Sequence, residues 1–259
     1  MSREFKRVVV KVGSSTLTHS SGLINIRRIE HLVKVLADIM NSGIELILVS
    51  SGAGAVGMGK LGLREKPKDI PKKQAVAAVG QCELMYLYDS LFSQYNHTTA
   101  QVLLTRDVFD DPERLGHATN TFQNLMEYNV LPIVNENDTV AVEEFSLGDN
   151  DTLGALVSIA VDADCLIILS DIDGLYTDNP STHPEATLIS QVDTLTDEHF
   201  ACAGESGSLL GTGGMLTKLY AAKKVTEQGI HMAILNGSDP ENLYSFFEGQ
   251  DVGTFFPAK

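Results

Sequence analysis

The chain has 259 residues, 43% of them hydrophobic, with 19 Lys+Arg against 34 Asp+Glu and a formal net charge of −15. A chain of that length and apolar content closes a sizeable core, which excludes a disordered or fibrous protein. The acidity works against binding nucleic acid or an anionic membrane, and no run of five Lys/Arg offsets it. In chain order, Val8–Val12 is β-branched and stops at Gly13, which predicts a buried strand. Ile26, Ile29, Val33, Leu36 and Met40 recur at helical spacing, and Asn41-Ser42-Gly43 closes that helix. Ile44–Ser50 is the next predicted strand. Residues 72–95 form a long helix with Pro71 just before its start. A strand at Ala100–Leu104 and a helix over 112–128 follow, then a strand at Val130–Asn135, a helix at Thr152–Val161 and a strand at Cys165–Ser170. Residues 171–193 carry Gly174, Pro180 and Pro184 without a helical period and read as a hairpin or irregular lobe. Gly204–Gly214 is Gly/Ser-rich. A helix over 215–228 and a strand at Ile230–Asn236 resume the pattern. This alternation predicts an α/β three-layer sandwich with a largely parallel central sheet. With no linker, repeat or low-complexity segment, a single domain over 1–259 is expected, its lobes changing near residue 170.

Uninterrupted apolar stretches fall far short of the roughly 20 residues of a membrane span. Lys11 and Gly13 break the N-terminal apolar run before it reaches the roughly 7–15 residues of a signal-peptide core. Cysteines 82, 165 and 202 form no CxxC pair, which fits a reducing, cytoplasmic interior. The seven histidines show no metal-binding spacing, no GxSxG elbow is present, and no metal site in the protein itself is expected. Tyr86, Tyr88, Phe92 and Tyr95 read as core or subunit contact.

Gly52-Ala53-Gly54-Ala55-Val56-Gly57 fits GxGxxG after a strand, which suggests a dinucleotide turn. The acidic residue that turn needs roughly 20 residues on falls in the polar stretch 64–73, away from a strand end. Gly54 to Lys60 approaches a P-loop, but Leu61 stands where Ser or Thr would hold magnesium. Two other readings remain: glycines that permit a tight turn and close backbone approach, or amides at a helix N-terminus that suit a small anion such as a carboxylate.

Four further segments fall at predicted strand ends, where open α/β sheets bind ligands. Lys11 precedes Gly13, and a buried ammonium must find a partner unless it snorkels to water. Asn135-Glu136-Asn137-Asp138 and Gly148-Asp149-Asn150-Asp151 can grip an ammonium group, although Asp149 and Asp151 also suit helix capping. Gly211 to Lys218 offers glycine amides and a lysine at a helix start, either a phosphate cradle or a flexible loop with a solvated lysine. Lys11 and Lys218, oriented by Asp151, would neutralise the charge on a phosphoryl group in transfer. The net acidity does not forbid this, because surface charges are screened beyond about 8–10 Å.

Lys11-Val12-Gly13-Ser14-Ser15, Val49-Ser50-Ser51-Gly52-Ala53, Asn135–Asp138, Gly148–Asp151, Ser170-Asp171 with Gly174-Leu175-Tyr176-Thr177, and Gly211–Lys218 follow the order seen in the amino-acid kinase family. The chain resembles that family from residue 6 to about 256. The resemblance implies transfer of the γ-phosphate of ATP, with Mg2+, to the side-chain carboxylate of L-glutamate at the first step of proline synthesis. Within the family, acetylglutamate or aspartate are alternative acceptors, and Asp138 as an ammonium acceptor argues against an N-acetylated one. A dinucleotide-dependent oxidoreductase using Gly52–Gly57 is a third reading. A ligand sensor on an inactive kinase fold is a fourth, disfavoured by the presence of Lys11 and Lys218. By resemblance, Lys11 and Lys218 stabilise the phosphoryl group and Asp151 holds both. Ser51, Asp138 and Asn150 recognise glutamate. Lys11, Ser170, Asp171, Thr212, Gly213, Gly214, Met215, Leu216, Thr217 and Lys218 surround ATP. Residues 1–169 then form the acceptor lobe and 170–259 the ATP lobe. Ser170 stands where the family often has Thr, and Leu216 where it has a small residue. The resemblance further implies a homo-oligomer, dimer or tetramer, for which helix 72–95 offers a surface, and a reductase partner for the labile product. The RNA-binding-like PUA domain that many members carry after the kinase is expected to be missing.

Overall fold

The structure is a computed structural model describing residues 3–19, 21–141, 149–203 and 214–259. The β-branched runs become strands β1 (Arg7–Val12), β2 (Glu45–Ser50), β3 (Thr98–Leu104), β4 (Val130–Glu136), β5 (Cys165–Ser170), β6 (His231–Asn236) and β7 (Thr254–Phe256). They form one sheet in the order β3-β4-β2-β1-β5-β6-β7, parallel except for β7, which runs antiparallel to β6. From β1 the chain moves out to β2 and β3, returns through β4, and crosses to β5 on the other side of β1. The connections after β1 and β5 therefore leave in opposite directions and open a crevice beyond the strand ends between them.

Among the described residues, ten helices cover the two faces: α1 (Ser14–Leu17), α2 (Ile26–Asn41), α3 (Ala53–Lys60), α4 (Ile70–Ser93), α5 (Arg106–Asp110), α6 (Pro112–Glu127), α7 (Asn150–Ala160), α8 (Asp197–Cys202), α9 (Met215–Thr226) and α10 (Asn242–Phe247). Successive strand residues point to opposite faces, so the unbroken apolar runs of β1 and β5 supply two cores. Val8, Val10, Ile167 and Leu169 pack with Leu36 of α2, Tyr88 and Phe92 of α4 and Phe246 of α10. Val9, Leu166 and Ile168 pack with Phe122 of α6, Leu153 of α7 and Leu219 and Val225 of α9. This is the three-layer arrangement the alternation predicts.

Some boundaries differ from expectation. Helix α4 begins at Ile70, because Asp69 caps it by accepting the Lys72 N–H at 3.0 Å; Pro71 therefore lies inside the first turn, where its missing donor costs nothing. Residues 171–193 fold back as expected, with Thr177 N–H donating to Thr187 O at 2.9 Å and an antiparallel bridge between Tyr176 and Leu188. Strand β7 and helices α1, α5, α8 and α10 had no visible signal; each has six residues or fewer, too short for a period to show. Tyr88 and Phe92 are buried, whereas Tyr86 is 72% exposed.

Two of the three glycines of residues 52–57 also find their cause. Gly52 adopts φ +98° ahead of α3, a left-handed turn that disfavours a side chain. A Cβ on Gly57 would strike Val76 O, and one on Gly80 would strike Ala53 O, so α3 and α4 pack backbone to backbone. Turn geometry thus accounts for Gly52 and helix packing for Gly57, whereas a Cβ on Gly54 would meet open space. In a helix interior Ala outranks Gly by about 0.8–1 kcal/mol, but Gly80→Ala is expected to reverse that sign. Because the obstacle is backbone, the helices must separate, and urea titration should find a loss of about 1–3 kcal/mol. Val79→Ala, on the outer face of the same turn, should stay within about 0.5 kcal/mol of the parent chain.

Candidate active site

Lys11 sits on β1 in register with Val49 and Ile168 on its neighbours, so it belongs to the sheet centre and not to an edge. Its residue is only 8% exposed. Asp151, 0% exposed, lies in the first turn of α7, whose N-cap Asp149 accepts the Thr152 N–H at 2.8 Å. One turn later Gly154 lets α7 rest on β1: a Cβ there would lie 3.5 Å from Lys11 Cβ and 3.3 Å from Leu166 Cδ1. Lys218, 6% exposed, enters from the first turn of α9. Lys11 Nζ reaches Asp151 Oδ1 at 2.5 Å, and Lys218 Nζ donates to Asp151 Oδ2 at 3.0 Å. Thr217 Oγ1 is 2.9 Å from the same Oδ2 and 2.8 Å from Gly214 O. Burial alone would raise the Asp151 pKa, but the two ammonium groups outweigh it and hold the carboxyl below its ordinary value. The cluster is therefore one carboxylate between two cations. Its net charge is positive, and it faces the crevice of the sheet in an otherwise acidic chain.

Asn150, Ser50, Ser51 and Asn135 form a second network. Asn150 Nδ2 donates toward Ser50 O at 2.7 Å, Ser51 Oγ at 3.0 Å and Asn135 Oδ1 at 3.0 Å. Asn135 Nδ2 in turn donates to Gln81 Oε1 at 2.8 Å, and Ser50 Oγ lies 3.0 Å from the Tyr88 hydroxyl. The Ser51 N–H is taken by Val12 O at 3.1 Å, which ties the end of β2 to β1. Gln81 and Tyr88 were not singled out as site residues. A signal existed: Gln74, Gln81 and Tyr88 recur every seventh residue on one stripe of α4, and Gln74 Nε2 donates to Ala141 O at 3.0 Å. Asp138, half-buried two residues beyond β4, has its pKa pushed up to about 6 by burial and by the neighbouring Glu136 carboxylate.

On the other side of the crevice, Ser170 ends β5 and donates from Oγ to Asp171 Oδ1 at 3.3 Å. Its carbonyl accepts Gly237 N–H at 2.7 Å, and Asn236 Nδ2 donates to Asp173 Oδ1 at 2.6 Å. Gly214 is the N-cap of α9, and Met215 and Leu216 pack against the second core. Thr212 and Gly213 lie outside the described residues. The sequence-predicted residues thus gather at the C-terminal ends of β1, β2, β4 and β5 and at the N-termini of α7 and α9. Among the described residues, no helix is long and apolar enough to cross a membrane.

A sequence model described as "Amino acid kinase family" matches residues 6–236. The chain is 51% identical to the glutamate 5-kinase of Clostridium perfringens, covering 99% of this chain and 97% of that one. It is 52% identical to that of Clostridium tetani, covering 99% and 96%. Against the longer glutamate 5-kinase of Caldanaerobacter subterraneus it is 49% identical and spans 68% of the relative. The fold matches UMP kinase from Bacillus anthracis with a TM-score of 0.68 at 14% identity, covering 99% of this chain and 98% of that one. It matches carbamate kinase from Giardia lamblia with a TM-score of 0.68 at 16% identity, covering 98% and 99%.

Proposed function

Since the chain belongs to the amino acid kinase family, we propose that it transfers the γ-phosphoryl group of ATP to the side-chain carboxylate of L-glutamate, giving glutamate 5-phosphate and ADP, the first step of proline biosynthesis. The observation that carries this reading is Asp151 bridging Lys11 and Lys218 between an acceptor-side network and a nucleotide-side turn, in a chain half identical to glutamate 5-kinases.

The chemistry asks little more of the protein. A glutamate side chain ionises near pH 4.3, so at neutral pH its carboxylate oxygen is already a nucleophile and no general base is required. What opposes the reaction is charge: an anion attacks an anionic phosphate. Lys11 and Lys218 reduce that repulsion, and Asp151 fixes both so that no reorganisation is needed when charge shifts. Asp151 is held ionised, its Oδ2 bonded to Lys218 and Thr217 and its Oδ1 ion-paired with Lys11, which suits it to orienting the cations and not to moving a proton. Ser51, Asn150 and Asp138 hold the amino acid, Asp138 taking its ammonium group. Ser170, Asp171 and residues 212–218 hold ATP. Residues 1–169 then act as the acceptor lobe and 170–259 as the nucleotide lobe. Magnesium comes with the nucleotide, where phosphates and water supply most of its ligands; among the described residues no group of three or more His, Cys, Asp or Glu is placed to hold a metal ion. The acyl phosphate product is labile, so a reductase that consumes it is the natural partner. The outer stripe of α4, with Val79 and Tyr86 exposed, is the surface through which copies would associate.

ADP release measured with ATP and magnesium across glutamate, N-acetylglutamate and aspartate tests the reading, with hydroxylamine present to trap an acyl phosphate as a hydroxamate. A glutamate-dependent hydroxamate is the expected result; ADP release with another acceptor only would refute the substrate.

The Asp138 assignment has its own pH signature. Only the ionised carboxylate attracts an ammonium group, and it is protonated below about 6. From pH 7 to 5 the KM for glutamate is expected to rise, by about tenfold for each unit below that value, before the substrate's own carboxylate titrates. Asp138→Asn should show a high KM that no longer varies over this range; a parent KM flat from pH 7 to 5 would remove Asp138 from the ammonium site.

A further inference from the structure

Thr254 is 0% exposed on β7, the short antiparallel strand at the sheet edge. Its hydroxyl is used in both directions. Leu175 N–H donates to Thr254 Oγ1 at 2.8 Å, and Thr254 Oγ1 donates to Ile189 O at 2.6 Å. Leu175 and Ile189 lie on the two arms of the excursion that leaves β5, and Ile189 N–H closes the loop onto Leu175 O at 2.8 Å. Residues 171–192 contain no helix or strand of their own, so their position depends on what the sheet offers them. Beside Thr254, Phe255 N–H donates to Ser190 O and Val192 N–H to Phe255 O, each at 2.9 Å. A Cβ on Gly174 would strike Thr254 Oγ1, so the first arm is pressed against this hydroxyl. Nearer the crevice an exposed tie, Asn236 to Asp173 at 2.6 Å, holds the same arm to the end of β6. The first residue of that arm is Asp171, directly after Ser170 at the end of β5.

We infer that Thr254 is a positioning residue for the nucleotide side of the site: its buried hydroxyl clasps both arms of the 171–192 excursion to β7 and thereby sets where Asp171, the first residue of that excursion, meets ATP. The inference rests on the kinase reading above, and it reaches a residue that touches neither substrate. Thr254→Val keeps the β-branched shape but leaves the Leu175 donor and the Ile189 acceptor unpaired in a dry place. The arm must then move to find water, and nucleotide contacts lose their place while the acceptor network, on β2, β4 and α7, does not.

The test is steady-state kinetics of the full chain with ATP and glutamate varied separately, together with calorimetric binding of a non-hydrolysable ATP analogue and a melting curve. Thr254→Val is expected to raise the KM for ATP and the analogue's Kd about tenfold, the effect of an unmet buried hydrogen bond. The KM for glutamate, and kcat at saturating ATP, should remain within about twofold of the parent. Thr254→Ser, which keeps the hydroxyl, should restore most of the affinity. An unchanged analogue Kd with a lowered Tm, or a parallel rise in both KM values, overturns the inference. Should Thr254→Val fail to fold, Asp173→Ala decides the matter: cutting the exposed tie should weaken the analogue about threefold, and an unchanged Kd overturns the clasp. A parent chain that does not bind the analogue would instead overturn the kinase reading, and the role of Thr254 with it.

Discussion

Asp151→Asn is expected to lower kcat by about 10²–10³-fold and to destabilise the fold at the same time. Asparagine keeps the shape of the side chain but removes the charge shared by Lys11 and Lys218. Two ammonium groups then stand buried side by side without the carboxylate that bridged them, and their repulsion and lost hydration go largely uncompensated. Removing one partner of a buried ion pair costs about 3–5 kcal/mol, and here one substitution strips the counter-charge from both lysines. The stability loss should depend on pH in a defined direction. The Asp151 carboxyl is held below its unfolded value, so its contribution is present at neutral pH and is lost as pH falls through the folded value. Urea titrations of parent and variant should therefore differ most near pH 7 and converge in acid. Equal stability at pH 7 would mean that the carboxylate is not the element holding the lysines.

How much of this was open to reading from sequence depends on distance along the chain. The strands were legible because β1, β2 and β5 are apolar runs buried on both faces, bounded by glycine or polar residues. The chemistry-bearing residues were legible because they cluster at those boundaries. The contact that makes them a site was not: Lys11, Asp151 and Lys218 meet only because β5 returns beside β1 and Gly154 lets α7 lie on it. The charge chemistry of phosphoryl transfer suggested that grouping and the resemblance agreed with it, but spacing along the chain could not supply the contact. The inner stripe of α4 was hidden for another reason. Gln74, Gln81 and Tyr88 are single polar residues on a largely buried face, and periodicity reports burial without saying what a buried polar group holds. Strand β7, three residues long, falls below any pattern, and with it went Thr254. The glycines at 52–57 show a phosphate-like spacing, but Gly52 serves a left-handed turn and Gly57 the packing of α3 on α4, the tight-turn and close-approach reading.

Lys218→Met separates catalysis from structure more cleanly than the aspartate substitution. Methionine fills much of the same volume without charge, and Lys11 remains paired with Asp151, so the cluster passes from one excess positive charge to neutrality. The lost Lys218–Asp151 bond is set against the relief of two buried cations facing each other, and the melting temperature is expected to stay near that of the parent chain. The transferring phosphoryl group loses one of its two fixed cations, and kcat is expected to fall about 10²–10³-fold. The KM for glutamate should hardly move, because charge on the phosphoryl oxygens is redistributed chiefly in the transition state and an interaction made there appears in kcat. Initial rates and a melting curve on the same preparation decide between the roles. A large loss of kcat at unchanged Tm assigns Lys218 to the phosphoryl group. Near-parental kcat removes it from the reaction, and a Tm loss in step with the activity loss would make it a structural partner of Asp151 alone.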